Sequence, residues 1–247
     1  TLKEIRVHGT QDFPCAFYQT GTRIRGNMVK HHWHEEVELL YFSGGEFCLE
    51  INMERFEISE ECFYFINPGE LHSISVEKNG GCVENAVVFH MDMLSSAYAL
   101  DQIQTNLIQP VQNGSLQFPR CLRKNEPAFE PVRKSYEEIR NVFGGDSFRE
   151  NYYDGEAVTD DITRQLFIKS ALLRILAVLS ANNLFEVTEK NHDRRIETIK
   201  TTLTYIQENY KEKIYIRDLA DLIGMNEQYF CRFFKKVIGR SPMEYVN

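Results

Sequence analysis

The hydrophobic period changes part-way along the chain, and that change limits the fold more than any single motif does. Up to about residue 90, apolar residues alternate in short runs separated by Gly, Asn and Pro. Glu36–Tyr41, Glu46–Ile51, Cys62–Ile66 and Val83–His90 read as strands a few residues long. Asn67-Pro68-Gly69 and Asn79-Gly80-Gly81 supply turns between them. Many short strands at near-even spacing predict a β-sandwich or barrel. From Pro127 the period becomes helical, with Val132, Tyr136, Ile139 and Phe143 on one helix face. Ile162–Ala181 is apolar nearly all round, with only Arg164, Lys169 and Arg174 charged. Such a helix is buried on more than one side, in a core or against a second subunit. The stretch Asn182–Arg195 is polar and reads as a linker. After it, Ile196, Ile199, Leu203, Ile206 and Tyr210 open a compact helical domain.

Composition narrows the class. At 247 residues the chain suits one large or two modest domains. No apolar run approaches the roughly 18 residues of a membrane helix, and Thr1–Gln11 lacks the apolar core of a signal peptide. The six cysteines are scattered without a C-x-x-C pair, which predicts a reduced, cytoplasmic protein. The net charge is −8, but it is unevenly spread. Residues 199–247 carry eight Lys/Arg and six Asp/Glu, leaving 20 and 30 to the remainder. Arg232, Lys235, Lys236 and Arg240 follow Glu227 with no acid among them. A basic helix on an acidic protein suits a nucleic-acid reader with one element at the phosphates, and a solvated helix face equally well.

The segment Arg217–Ile238 carries the most specific motif. Arg217–Ile223 predicts a short helix with Leu219, Ala220 and Ile223 on one side. Gly224 ends it, and Asn226 is placed to cap a second helix over Glu227–Ile238. This is a helix-turn-helix pattern. Tyr229, Phe230, Phe233, Phe234 and Val237 are expected to point inward. Gln228, Cys231, Arg232 and Lys235 fall on the opposite face, where a recognition helix would meet the major groove of double-stranded DNA. Arg232 can pair with guanine and Gln228 with adenine, while Lys235, Lys236 and Arg240 suit phosphates.

The run Leu219-Ala220, Gly224-Met225-Asn226, Tyr229 through Lys236, Gly239-Arg240-Ser241-Pro242 and Tyr245 closely resembles the first helix-turn-helix of AraC/XylS-type transcription regulators. That resemblance implies sequence-specific DNA binding controlled by a small-molecule effector. Regulators of this type carry two helix-turn-helix units joined by a long helix, so the second unit is expected beyond Asn247.

Gly26, His32, His34, Glu38 and Gly44 stand at G-x5-H-x-H-x3-E-x5-G, resembling the first cupin motif. His72, after Pro68-Gly69, stands where the second motif places its histidine, although Glu60-Glu61-Cys62 replaces the glycine that opens that motif. On one strand, residues 32, 34 and 38 would share a face, with Trp33 opposite. Two imidazoles, a carboxylate and a third imidazole could ligate Fe, Mn, Ni or Zn. In the resembled regulators the same residues line a metal-free effector pocket, so no cofactor is expected and a divalent metal is the alternative. Arg23 and Arg25 are candidates for holding an anionic effector.

The expected fold is therefore α+β. A cupin-like jelly-roll barrel spans 1–125, a helical dimerisation segment 126–185, a linker 186–195, and an all-α helix-turn-helix domain 196–247. The expected molecule is a homodimeric, non-enzymatic, cytoplasmic regulator with no membrane partner. The competing readings are a metal-dependent cupin oxygenase or isomerase with a helical appendage, and a sensor acting by protein contact alone.

Overall fold

The computed structural model describes residues 3–4, 6–22, 26–76, 82–98, 100–144, 153–154, 161–188, 194–238 and 240–246. Eight strands come first: β1 (Cys15–Thr22), β2 (Gly26–His32), β3 (Val37–Phe42), β4 (Phe47–Ile51), β5 (Glu54–Ile58), β6 (Cys62–Ile66), β7 (His72–Val76) and β8 (Cys82–Phe89). A short helical stretch ending in α1 (Gln109–Gln112) leads to β9 (Leu116–Gln117) and β10 (Cys121–Arg123). Then come α2 (Phe129–Val142), β11 (Tyr153–Asp154), α3 (Ile162–Ala181) and β12 (Glu186–Val187). Four helices close the chain: α4 (Arg194–Glu208), α5 (Ile216–Leu222), α6 (Glu227–Ile238) and α7 (Pro242–Val246). The expected α+β architecture is present.

Two antiparallel sheets face each other, in the orders β10-β6-β3-β8-β1-β11 and β2-β7-β4-β5. Side chains alternate across each strand, so the larger sheet serves two cores. Leu40, Phe42, Tyr64, Ile66 and Val88 meet Phe47, Leu49, Ile74 and Val76 between the sheets. Val37, Leu39, Phe63, Phe65 and Val87 face outward and are covered by α2 and α3. Strand β3 is apolar at nearly every position because both of its faces are covered.

The structure departs from the alternation pattern in two ways. Strands β1, β2, β5 and β7 were not foreseen, because Gln19, Lys30, Glu57 and Ser73 interrupt their apolar runs. The linker expected over 186–195 begins as β12, which pairs with β9 through Glu186↔Gln117 and Val187↔Leu116. The turn expected at Asn79-Gly80-Gly81 lies outside the described residues.

One buried ion pair ties the barrel's turns together. Arg120 Nη1 and Nη2 donate to Glu70 Oε2 and Oε1 at 2.6 and 2.5 Å. Glu70 also accepts from the Asn67 backbone N–H at 2.8 Å and from Asn52 Nδ2 at 3.1 Å. Gly69 lies at φ +78°, a left-handed turn position that suits glycine. Deleting the Glu70 carboxylate leaves the part-exposed Arg120 with the Phe65 carbonyl and solvent, and leaves the Asn67 N–H without its acceptor. Glu70→Ala is expected to cost about 1–3 kcal/mol in urea denaturation, and no measurable loss would show that the pair does not hold the turn.

Candidate functional site: a histidine cluster and a recognition helix

His32 ends β2, directly opposite His72 at the start of β7. Glu38 lies on β3 in the other sheet, and His34 stands on the link between them. The four therefore converge from both sheets at one end of the barrel. The expectation that 32, 34 and 38 share one strand face is corrected here: the strand ends at His32, and a short link carries the chain across. Their candidate ligand atoms all lie within 4.8 Å of one another. Arg23 and Arg25 lie outside the described residues.

The histidine tautomers follow from the backbone. His72 Nδ1 lies 2.8 Å from the Glu70 carbonyl oxygen, His34 Nδ1 3.1 Å from that of Glu36, and His32 Nδ1 2.9 Å from that of Lys30. A carbonyl oxygen only accepts, so each Nδ1 carries the proton. His34 and His72 then turn Nε2 toward Glu38, and His32 turns Nε2 toward Glu4. His34 Nε2 is 3.3 Å and His72 Nε2 2.9 Å from Glu38 Oε2. His72 is 1% exposed, and its Nε2 is paired with the Glu38 carboxylate.

Burial and the pairing among these groups set their charges. Burial acts to raise the Glu38 carboxyl, but His34 and His72 outweigh it and hold Glu38 well below the usual carboxylate range. Burial, followed by the neighbouring His72, pushes His32 down to about 4. For His34, burial acts downward, and Glu38, Glu36 and Glu4 carry it above its ordinary value. Three imidazoles and one carboxylate form a donor set of transition-metal type.

Sequence reasoning missed the groups around the cluster. Glu4 Oε2 lies 3.4 Å from His32 Nε2 and 3.5 Å from His8 Nε2, and His8 is buried against Tyr18. No spacing rule links this N-terminal segment to the motif. Glu84, on β8, is 2% exposed, and its Oε1 has no hydrogen-bond partner among the described residues. Burial, then the Glu38 charge, raise its pKa well above the ordinary carboxylate value. The space beside the cluster is about 30 Å³. A larger cavity of about 940 Å³ opens where the barrel meets α4, bordered by Trp33, Glu70, Arg120, Lys200 and Tyr205.

In the helical domain, Leu219 and Ala220 are buried and Gly224 adopts φ +66° between α5 and α6. Asn226 Oδ1 accepts from the Tyr229 N–H at 2.8 Å, the expected cap of α6. Phe230 and Phe234 are fully buried, and Phe233 and Val237 pack beside them. Gln228, Arg232, Lys235, Lys236 and Arg240 are exposed. Cys231 is half-buried at the edge of that face and packs against the helical core. Tyr229, expected to point inward, is 52% exposed. At 100° per residue it stands a quarter-turn from Phe230, beyond what α5 covers, and shares the outer flank with Lys236.

Both halves match known families. Residues 206–247 match the family of bacterial regulatory helix-turn-helix proteins, AraC family, and residues 17–141 match the AraC-like ligand binding domain. The chain belongs to the AraC family. It is 26% identical over 253 residues to an uncharacterized HTH-type transcriptional regulator, YdeC, of Bacillus subtilis (strain 168), covering 99% of this chain and 78% of that protein. A crystal structure of an apo ToxT variant from Vibrio cholerae strain SCE256 is similar over 97% of this chain and 98% of that one, at 10% identity and a TM-score of 0.41. The unsaturated-fatty-acid-bound wild-type ToxT of the same strain covers 96% of each chain, at 11% identity and a TM-score of 0.33. As an AraC-family regulator, the chain couples a ligand-binding domain to a DNA-binding one.

The buried Glu84 sets a pH dependence. Its folded pKa exceeds its unfolded one, so the folded state binds the extra proton and stability falls as pH rises past about 4.5. Glu84→Gln removes that penalty. Thermal midpoints compared from pH 5 to 8 are expected to favour the variant increasingly at higher pH, and parallel curves would exclude this role for Glu84.

Proposed function

We propose that this AraC-family chain is a cytoplasmic homodimer in which the barrel cluster of His32, His34, Glu38 and His72 receives the effector and α6 enters the major groove. The observation that carries the reading is the division of α6. Its inner face is locked by Phe230 and Phe234, while Gln228, Arg232, Lys235 and Lys236 stand free at the surface of an otherwise acidic protein. The enzymatic alternative fares worse. Both family matches, over residues 17–141 and 206–247, are to regulator domains.

Gln228 and Arg232 read base edges because they lie centrally on the exposed face. Lys235, Lys236 and Arg240 lie toward its C-terminal end and hold phosphates. In salt titrations of full-length protein, Arg232→Ala is expected to cost about 1–3 kcal/mol on a specific duplex and to relax preference at one base position. Lys235→Ala weakens specific and scrambled duplexes alike and lowers the salt slope by about one unit. Equal weakening of both duplexes by Arg232→Ala would remove it as a base reader.

Helix α3 supports the homodimer. Its inner residues Ile168, Leu172, Ile175 and Leu179 are buried on the sheet and α2, while Ile162, Leu166, Phe167 and Leu173 are exposed on the outside. A stripe of large apolar side chains along one helix suits an isologous two-fold contact. Sedimentation at micromolar concentration is expected to show a dimer and Leu173→Glu a folded monomer. A monomeric wild type would overturn the assignment.

A further inference from the structure

The cysteines are scattered along the chain, but the larger sheet brings two of them together. Cys62 opens β6 and Cys121 opens β10, and both thiols are free. The two strands pair antiparallel through Cys121↔Tyr64 and Cys62↔Arg123. Cys62 and Cys121 are therefore diagonal neighbours on one face of the sheet, the face that looks into the core between the sheets. The Cys62 thiol hydrogen-bonds to the Cys121 sulfur, and so does Tyr64, which lies directly across from Cys121. Arg123 follows on the same face of β10. This arrangement makes the two thiols unlike. The hydrogen bond from Cys62 holds Cys121 below the usual thiol value against burial, helped by Tyr64 and by the Arg123 charge. The same hydrogen bond, and then burial, push Cys62 up. Cys62 is 6% exposed, whereas Cys121 is half-buried.

We propose that Cys121 and Cys62 form a dithiol site that reacts with hydrogen peroxide, Cys121 attacking and Cys62 resolving. The thiolate is the nucleophilic form, and hydrogen-bond donors converge on Cys121 where solvent reaches it. Its sulfur attacks one peroxide oxygen and the O–O bond breaks. The departing oxygen takes up a proton and leaves as water, and Cys121 becomes a sulfenic acid. Cys62 then gives up its proton and attacks the Cys121 sulfur. The S–S bond forms, the S–O bond breaks, and a second water leaves. Two thiols and one peroxide thus yield one disulfide and two waters, with two electrons passing from sulfur to oxygen. Diagonal neighbours lie about 7–8 Å apart at Cα, beyond the roughly 4.4–6.8 Å that a disulfide spans, so closure draws the strands together. Strand β10 is able to move, being three residues long, at the edge of the sheet and paired there only with β6. A bond that has to shift its strand is under tension and is easily reduced again, which suits a reversible site.

The reduced full chain is treated with hydrogen peroxide at neutral pH and digested without reductant. A peptide pair joined through Cys62 and Cys121 is expected, with the intact mass lower by two hydrogens and restored by a dithiol reductant. Cys62→Ser is expected to halt Cys121 at the sulfenic acid, which dimedone captures. Cys121→Ser is expected to slow thiol loss at Cys62 by at least about 10-fold. Circular dichroism checks that both variants fold, and the wild-type digest decides the matter without them. Urea separates built-in activation from simple access, because unfolding takes Cys62 and Tyr64 away from the Cys121 sulfur. Oxidation of Cys121 is expected to be at least about 10-fold slower in the unfolded chain. A digest without the Cys62–Cys121 link, or one dominated by links between other cysteines, would overturn the site. Dimedone capture at Cys62 in Cys121→Ser, with none at Cys121 in Cys62→Ser, would overturn the assignment of the attacking sulfur. Equal rates with and without urea would show that the fold does not activate Cys121. DNA binding is a separate measurement, so loss of this proposal leaves the regulator reading standing.

Discussion

The Glu70–Arg120 ion pair holds the frame on which both functional halves depend. Glu70 fixes the turn after β6 through its carboxylate, and its carbonyl orients His72. The same turn donates the Gly69 N–H to the His34 carbonyl at 2.7 Å, which anchors the link between β2 and β3. One residue further on, Leu71 leaves the turn for the helical domain. The turn that Glu70 fixes thus positions two histidines of the cluster and one contact of the DNA-binding half. Glycine at 69 allows the left-handed backbone that brings these together.

Much of the helical domain was legible in the sequence because its signals are local. Apolar spacing, Gly224 and Asn226 act within a turn or two, and α3 and α6 run where the pattern placed them. Tyr229 was misplaced because helical periodicity says which residues share a face but not how wide the covering helix is. The barrel was read only in outline. Strands such as β5 and β7 carry polar residues where they meet the edge or the cluster, and a two-residue alternation needs unbroken runs to be visible.

The candidate site divides along the same line. His32, His34, Glu38 and His72 were found because a fixed spacing survives in one sequence. What brings them together is the pairing of two sheets, not the parity of one strand. Glu4, His8 and Glu84 reach the cluster from distant parts of the chain, and only tertiary structure reveals them. The contact of Trp33 with Lys200 was likewise invisible, although the position of Trp33 opposite the histidines followed from alternation alone.

Helix α3 exposes large apolar side chains among its polar ones, and this has a consequence for how much of the protein a cell must keep. Its inner residues hold the barrel while Ile162, Leu166, Phe167 and Leu173 meet solvent in the single chain. Chaperones and proteases recognise exposed apolar stripes of this kind, so a solitary chain is open to clearance. In the proposed homodimer the second chain covers the stripe, and copy number and survival of the folded chain then rise and fall together. A regulator built this way is removed fastest when it is scarcest, which sharpens the difference between its absence and its presence.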